Sequence, residues 1–498
     1  MHKLWVLIAV QATVAAASLV VEIVAGRMLA PYVGMSLYTW TSIIAVVLAG
    51  FSAGHWVGGR LAELPPDQAL RANGWALLAA ALTTGGALFL LRGVAGPVIT
   101  TVDHPVAVIV VLTTLVFFLP SFFAGIPAPI LSHVAVLRHP DRAGRALGAM
   151  FAAGAWGAIL GTLAAGFIFI SWLGSTGTLV VVTVVYVLLA LHSLWAARGF
   201  GRWMTQGAIA ALLPLVLAGT TLTRPDPCLV ESSYFCIRVV DQPGEPLVRY
   251  MVLDHLVHGV SDAEDARAMI PSHGIMLDGL SRLRMAERDA WSAFLIGGGN
   301  YALPRAWTAH EEPVDVTVAE MDPEVTRIAA EQFWFDRDTA TVIHADARRV
   351  LTRSDVTYDI VIGDAFTDIA VPEHLITQEF FSLVNRRLNP GGAYIMNVID
   401  HMDRLEALAS VVATAQAEFD VVEIWADPLH DPSEDRRVFI MVAGDAPTPV
   451  SQFTHLHPEP RQVVRVDAAS IRDLVARDTT VVMTDDYVPI ARLMGARS

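Results

Sequence analysis

At 498 residues, with 54% hydrophobic and only 17% charged side chains and a mean hydropathy of +0.49, the chain excludes a disordered or nucleic-acid-coating protein and argues against a purely soluble one. Its charge is divided: residues 1–224 carry 11 Lys/Arg against 5 Asp/Glu, and residues 225–498 carry 23 Arg against 44 Asp/Glu, so balances of +6 and −21 make the overall −15. A weakly charged half followed by an acidic half reads as a membrane domain, 1–224, joined to a water-facing part whose charge repels nucleic acid. Lys3 is the one lysine, which excludes a lysine Schiff base and a Walker-type phosphate lysine. Cys228 and Cys236 make no zinc site by themselves but could form one disulfide.

A membrane-crossing helix needs about 20 mostly apolar residues. Seven segments qualify, at roughly 4–29, 36–59, 73–92, 105–135, 146–171, 176–197 and 205–222. Pro120, Pro127 and Pro129 predict kinks in the fourth. Gly50, Gly54 and Gly58, and again Gly157 and Gly161, recur at the four-residue spacing that lets helices approach closely. Glu22 and Arg27 are charges inside the first span, read either as compensating one another, with Arg27 reaching for an interface, or as a transport element. His55 and Trp56 read as interface anchors. Arginines gather after spans two, four and six, which puts those loops and the N-terminus in the cytoplasm. Seven crossings then carry residue 225 to the outside; if 205–222 does not cross, it stays inside.

Pro225 and Pro227 mark a linker. Tyr234–Val240 and Leu247–Leu253, separated by Gln-Pro-Gly-Glu, predict a β-hairpin subdomain over 225–260. From 261 to 498 strands alternate with helices. Strands are expected at Ala293–Ile296, Asp315–Ala319, Thr341–His344, Asp359–Ile362, Ala393–Val398, Val421–Trp425 and Arg437–Val442. Helices are expected from about Pro304, over Pro323–Gln332, and at about 377–388 and 403–418. This order predicts an α/β Rossmann-like, methyltransferase-type domain with a mostly parallel sheet.

Such sheets bind ligands beyond the carboxyl ends of their strands. Gly297, Gly298 and Gly299 end the first strand, where the missing side chains let a ligand approach the backbone. Glu320 ends the second, placed to accept from both hydroxyls of a ribose. Asp346 follows the third strand, beside an expected adenine, and Asp364 follows the fourth, with Asp368 close behind. The ordered set points to a nucleoside-containing ligand. The loop reads GGGNYALP rather than GxGxxG, so S-adenosylmethionine or a derivative, which lacks phosphate, fits better than a dinucleotide.

The segments FLIGGGNYALPRAW, VTVAEMDPEV, HADA, YDIVIGDAFTD and LNPGGAYIMNV resemble the polyamine aminopropyltransferase (spermidine synthase) family. SSYFCIRV and YMVLDHLVHGV look like its N-terminal hairpin, and the apolar half and TDDYVPI resemble its membrane-fused branch. The resemblance implies transfer of an aminopropyl group from decarboxylated S-adenosylmethionine, a co-substrate rather than a bound cofactor, to an amine such as putrescine. It implies that Glu320 binds the ribose, Asp346 and Ala347 bind the adenosine, and Asp364 accepts the amine's proton. An amine must lose a proton before it attacks, and the sulfonium departs as a neutral thioether, so no metal is required. On the acceptor side the family's pattern is altered: Asn300 stands in the place of the loop acid, Tyr234 is followed by Phe235, His258 replaces a glutamine, His273 lacks its usual neighbours, and Asp364 and Asp368 are spaced more widely. A methyltransferase, or a non-catalytic polyamine sensor or carrier, are the alternatives. The expected partners are the amine, the adenosyl donor and a lipid bilayer, with a homodimer left open. The expected location is the cell (inner) membrane, as a multi-pass protein. The soluble domain is placed in the cytoplasm, where the donor is made, with the outside as the alternative that the span count gives.

Overall fold

The computed structural model describes residues 3–197, 201–365, 371–429 and 436–494. They form two compact units, Met1–Cys236 and Ile237–Ser498. The boundary falls inside the segment expected to be a hairpin subdomain, because residues 225–236 are bonded to the helices of the first unit.

The first unit contains α1 (Leu4–Val33), α2 (Leu37–Ala62), α3 (Pro66–Thr101), α4 (Pro105–Gly125), α5 (Pro127–Arg138), α6 (Ala143–Ala164), α7 (Ile170–Ala196), α8 (Arg202–Ala210) and α9 (Leu212–Thr221). It ends with the short β1 (Val230–Glu231). Proline opens α3, α4 and α5, where its fixed φ suits the first turn and no N–H is needed. Six stretches among the described residues are long and apolar enough to cross a membrane. The fifth, Pro140–Ala196, runs through Gly174, whose φ of 65° and ψ of 178° break α7. That stretch covers two of the expected segments, 146–171 and 176–197, and the break falls between them.

The spaced glycines are contact points between helices. A Cβ on Gly157 would lie 2.1 Å from the Ala12 carbonyl oxygen of α1, and one on Gly54 would lie 2.1 Å from that of Phe122 in α4. Arg27 finds its partners away from Glu22: it donates to the carbonyls of Tyr234 and Ser232, both at 2.7 Å, and its Nε lies 3.6 Å from Glu231. Glu231 in turn accepts from the Ser175 backbone N–H at 2.8 Å, beside the Gly174 break. Cys228 and Cys236 are disulfide-bonded within this segment.

The second unit begins with an antiparallel meander of β2 (Cys236–Gln242), β3 (Glu245–Leu253) and β4 (Leu256–Asp262). The first two are the expected hairpin; β4 follows through Asp254, which takes a φ of 55°. Next come α10 (Ser272–Met285), β5 (Trp291–Ile296), α11 (Ala302–Ala309), β6 (Val314–Ala319), α12 (Pro323–Gln332), β7 (Thr341–Ile343), α13 (Ala347–Arg353) and β8 (Tyr358–Gly363). The chain continues through α14 (Gln378–Arg386), β9 (Leu388–His401), α15 (Glu406–Gln416), β10 (Val421–Ala426), β11 (Arg436–Gly444), β12 (Gln452–His455), β13 (Arg461–Arg465), α16 (Ala468–Val475) and α17 (Ile490–Met494). The sheet order is β12-β13-β10-β11-β9-β8-β5-β6-β7. From β9 to β7 the pairs are parallel; from β9 to β12 they are antiparallel. The expectation of a mostly parallel sheet therefore describes only the five strands that carry the alternating helices. β12 and β13 carry no long apolar run, and so the sequence did not announce them.

Candidate functional site

The parallel order places the carboxyl ends of β7, β6, β5 and β8 side by side, which is where the glycine turn and the acids fall. β8 is buried throughout, so the residues at its carboxyl end start from a rigid support. Gly297 and Gly299 take φ values of 88° and 52°, conformations that cost a side-chain-bearing residue more. A Cβ on Gly298 would lie 2.4 Å from the ring of Tyr301, so the turn is also closed from beneath by an aromatic side chain. Tyr301 is fully buried, with its hydroxyl 2.7 Å from that of Thr326. Burial raises its phenol above the ordinary range.

Glu320 is 7% exposed and braces the turn: Oε2 accepts from the Gly298 N–H at 2.8 Å and Oε1 from that of Asp322 at 2.8 Å. Burial raises its pKa, opposed by these amide bonds. A carboxylate oxygen holds two lone pairs, so each can accept a further donor. Glu320 can therefore fix the glycine backbone and meet a ligand hydroxyl together.

Asp346 caps α13, with Oδ1 accepting from the Arg349 N–H at 2.9 Å, while Oδ2 lies 2.7 Å from His374 Nε2. Ala347 is buried behind it. Asp364 is half-buried and accepts from Asn397 Nδ2 at 3.0 Å; its backbone oxygen lies 3.4 Å from a Cβ built on Gly297. The glycine turn and Asp364 thus share one edge. Asp359 in the same strand is different: Arg288 and Asn389 donate to one oxygen and Ser292 to the other, so its bonding is internal.

Asn300 is buried under the turn. Its amide donates to Ser261 at 2.9 Å, and a Cβ on Gly259 would lie 2.2 Å from its Oδ1. His258 is partly buried, and its carbonyl lies 3.4 Å from a Cβ built on Gly299, so the meander edge reaches the glycine turn. His273 stands partly exposed in the first turn of α10. Tyr234 belongs to the first unit, is 42% exposed, and gives its carbonyl to Arg27. Asp368 lies outside the described residues.

Two participants were not anticipated. Asn397 is 2% exposed in β9, and its Oδ1 is buried with no hydrogen-bond partner among the described residues. Its signal was present as a lone polar residue in the apolar run AYIMNV. His374 had no comparable signal, because its link to Asp346 is made only in space.

Residues 284–428 match the spermine/spermidine synthase domain. A probable polyamine aminopropyl transferase of Bifidobacterium longum is 32% identical over 110 residues, 22% of this chain and 24% of that protein. The polyamine aminopropyltransferase of Vibrio vulnificus is 31% identical over 140 residues, 27% of this chain and 46% of that protein. The chain thus spans less than half the length of these curated relatives. A crystal structure of a probable spermidine synthase from Corynebacterium glutamicum aligns with a TM-score of 0.46 and 22% identity, over 52% of this chain and 97% of that one. The segment 284–428, which holds the glycine turn, Glu320, Asp346 and Asp364, is thus the part of the chain that is similar to the spermine/spermidine synthase domain.

Proposed function

We propose that the second unit transfers an aminopropyl group from decarboxylated S-adenosylmethionine to an amine such as putrescine, releasing methylthioadenosine and a spermidine-like polyamine. The observation that carries this reading is the shared edge of the glycine turn and Asp364, with Glu320 bracing the turn. In this assignment Gly297, Gly298, Gly299 and Glu320 cradle the ribose, and Asp346 with Ala347 faces the adenine. Asp364 takes the proton from the attacking nitrogen, and the electron pair of the broken C–S bond stays on sulfur. His258, His273 and Asp368 are the candidates for recognising the rest of the amine. Asn300 acts indirectly, by tying the glycine turn to Ser261.

We also place the chain in a membrane, as a member of the family's membrane-fused branch, with residues 1–224 as the spanning part, 225–260 as the hairpin segment and 261–498 as the catalytic part. Placing the catalytic part in the cytoplasm requires that 205–222 does not cross, or that another segment crosses unrecognised. Arg202–Thr221 is 20 residues of helix with enough apolar character to cross. Its Gly207 packs on Leu194 near the end of α7, whereas Asp226 and Glu231 beyond it bond to Thr176 and Ser175, at the opposite end of that same helical leg. This ordering, with the arginine-rich loops inside, supports the outer placement given by the span count.

The test of the activity is product analysis with the purified chain, offered decarboxylated S-adenosylmethionine with a panel of amines and, separately, S-adenosylmethionine. Methylthioadenosine release is expected. S-adenosylhomocysteine release would assign a methyltransferase instead, and binding without either product would leave a sensor or carrier.

A further inference from the structure

The carboxylate of Asp346 is not left to find its own orientation. One oxygen is committed to capping α13, at 2.9 Å from the Arg349 N–H. The other lies 2.7 Å from His374 Nε2; it keeps a lone pair for a ligand and is the one whose direction His374 sets. The imidazole is 47% exposed and the carboxylate 31% exposed, so a ligand can reach the pair.

His374 is itself held by a chain of contacts from the C-terminal TDDYVPI motif. Arg348 donates from Nη1 to the His374 carbonyl at 3.1 Å, and from both terminal nitrogens to Asp485, at 2.7 and 2.6 Å. Two parallel bonds of this kind fix direction as well as distance. Asp485 also accepts from the Thr377 hydroxyl at 2.7 Å, and its backbone N–H donates to Glu379 at 2.9 Å. The motif is anchored beneath by Met483, fully buried, whose carbonyl accepts from the Gln378 N–H at 2.8 Å and whose N–H donates to Thr414 at 2.9 Å. Thr484 and Tyr487 close the turn with two mutual backbone bonds.

We propose that His374 is a positioning residue of the adenosyl subsite: it directs the remaining lone pair of Asp346 toward the exocyclic amine of a purine, and the turn Thr484–Tyr487 holds it in register through Arg348. This rests on the reading of the second unit as a binder of the adenosyl donor. A carboxylate held from one side accepts an amine donor in one direction and gives nothing to a keto group at the same place. The pair therefore selects a 6-amino purine over a 6-oxo purine, and the TDDYVPI motif becomes part of the binding apparatus.

The test is calorimetry on the full chain in detergent with methylthioadenosine and with methylthioinosine, its 6-oxo counterpart. Wild type is expected to prefer methylthioadenosine. His374→Ala should weaken methylthioadenosine about tenfold, the loss of one positioned hydrogen bond, and narrow the preference over methylthioinosine. His374→Gln, whose amide N–H can bond the same oxygen, should recover affinity to within about threefold of wild type. In turnover the loss should fall on the donor KM and leave kcat unchanged, and Asp485→Asn should move the same quantity in the same direction. Equal losses in the Ala and Gln variants, or an unchanged purine preference in His374→Ala, would overturn the inference and leave donor binding standing. Failure of the wild type to bind methylthioadenosine would overturn the donor reading and this inference with it.

Discussion

Asp364→Asn should abolish turnover while leaving the second unit folded and able to bind its nucleoside. The bond to preserve is that from Asn397 Nδ2, at 3.0 Å. The amide oxygen of the variant can accept it, so the substitution keeps shape and removes charge and basicity. A hydrogen bond to a charged group contributes roughly 1.5–3 kcal/mol and a neutral one about 0.5–1.5 kcal/mol. The expected stability cost is therefore about 1 kcal/mol, a shift of about 2–4 °C in a unit of this size. Losing a general base costs about 10²–10⁴-fold in rate, or roughly 2.7–5.4 kcal/mol. The catalytic effect is several times larger than the structural one, so three measurements separate them. Methylthioadenosine release should fall by at least about a hundredfold, its affinity by calorimetry should change by less than about threefold, and the melting point should move by only a few degrees. Turnover within about threefold of wild type would remove Asp364 from the mechanism. Asn397→Ala, which leaves Asp364 in place but unheld, should reduce kcat by roughly tenfold with little change in affinity.

Glu320→Gln should weaken methylthioadenosine binding by an amount corresponding to roughly 1.5–3 kcal/mol, since the amide can accept from only one of the Gly298 and Asp322 N–H groups and loses its charge; unchanged affinity by calorimetry would return Glu320 to a purely structural role. Gly157→Leu should destabilise the helical unit by about 1–3 kcal/mol through overpacking against α1, read as a lowered melting point in detergent. Arg348 holds the Asp485 carboxyl below its ordinary range, so the anchorage of the C-terminal turn is fully present above about pH 4 and is lost as pH falls through the lowered pKa. Hydrogen-exchange protection at Thr484–Tyr487, taken relative to the intrinsic exchange rate at each pH, should fall over that acid window, and protection lost on the alkaline side instead would contradict the assignment. A membrane-impermeant thiol reagent applied to intact cells after mild reduction should label Cys228 and Cys236; labelling only after lysis would place them, and the domain they precede, in the cytoplasm.

Legibility in the sequence tracks the range of the interactions. The parallel strands were legible because a strand buried on both faces is a continuous apolar run, as in AFLI, VTVA and DIVIG, and the acids were legible because they sit where those runs stop. The fate of each acid was not. Asp359 and Asp364 lie five positions apart in one strand region, yet Arg288, Ser292 and Asn389 satisfy the first, whereas Asn397 alone among the described residues holds the second. Partners from sequence positions 288, 292, 389 and 397 leave no local pattern. Arg27 makes the same point in the helical unit: its nearest charge along the chain is Glu22, but its bonds go to residues 232 and 234, more than 200 positions away. Glu22 is thereby left without the partner that its spacing suggested.

Under the proposed assignment, the two kinds of acid would let binding and chemistry be carried by different strands of one sheet. Glu320 and Asp346 each use backbone N–H groups to hold a carboxylate at a strand end, an arrangement that fixes position and stabilises charge. That suits a group whose task is to receive hydroxyl or amine donors. Asp364 receives a side-chain amide on one oxygen, an arrangement that orients it. That suits a group that must take up a proton and give it away. The burial of Glu320 adds a constraint, because its pKa is raised despite two amide bonds. It is therefore the acid whose ionisation a bound ribose would favour, since hydroxyl donors stabilise the charged form. Nucleoside binding should in consequence release a proton as pH falls toward the raised pKa of Glu320, and calorimetry in buffers of different ionisation enthalpy measures that release directly. Proton release that persists in Glu320→Gln would assign the linkage to another group.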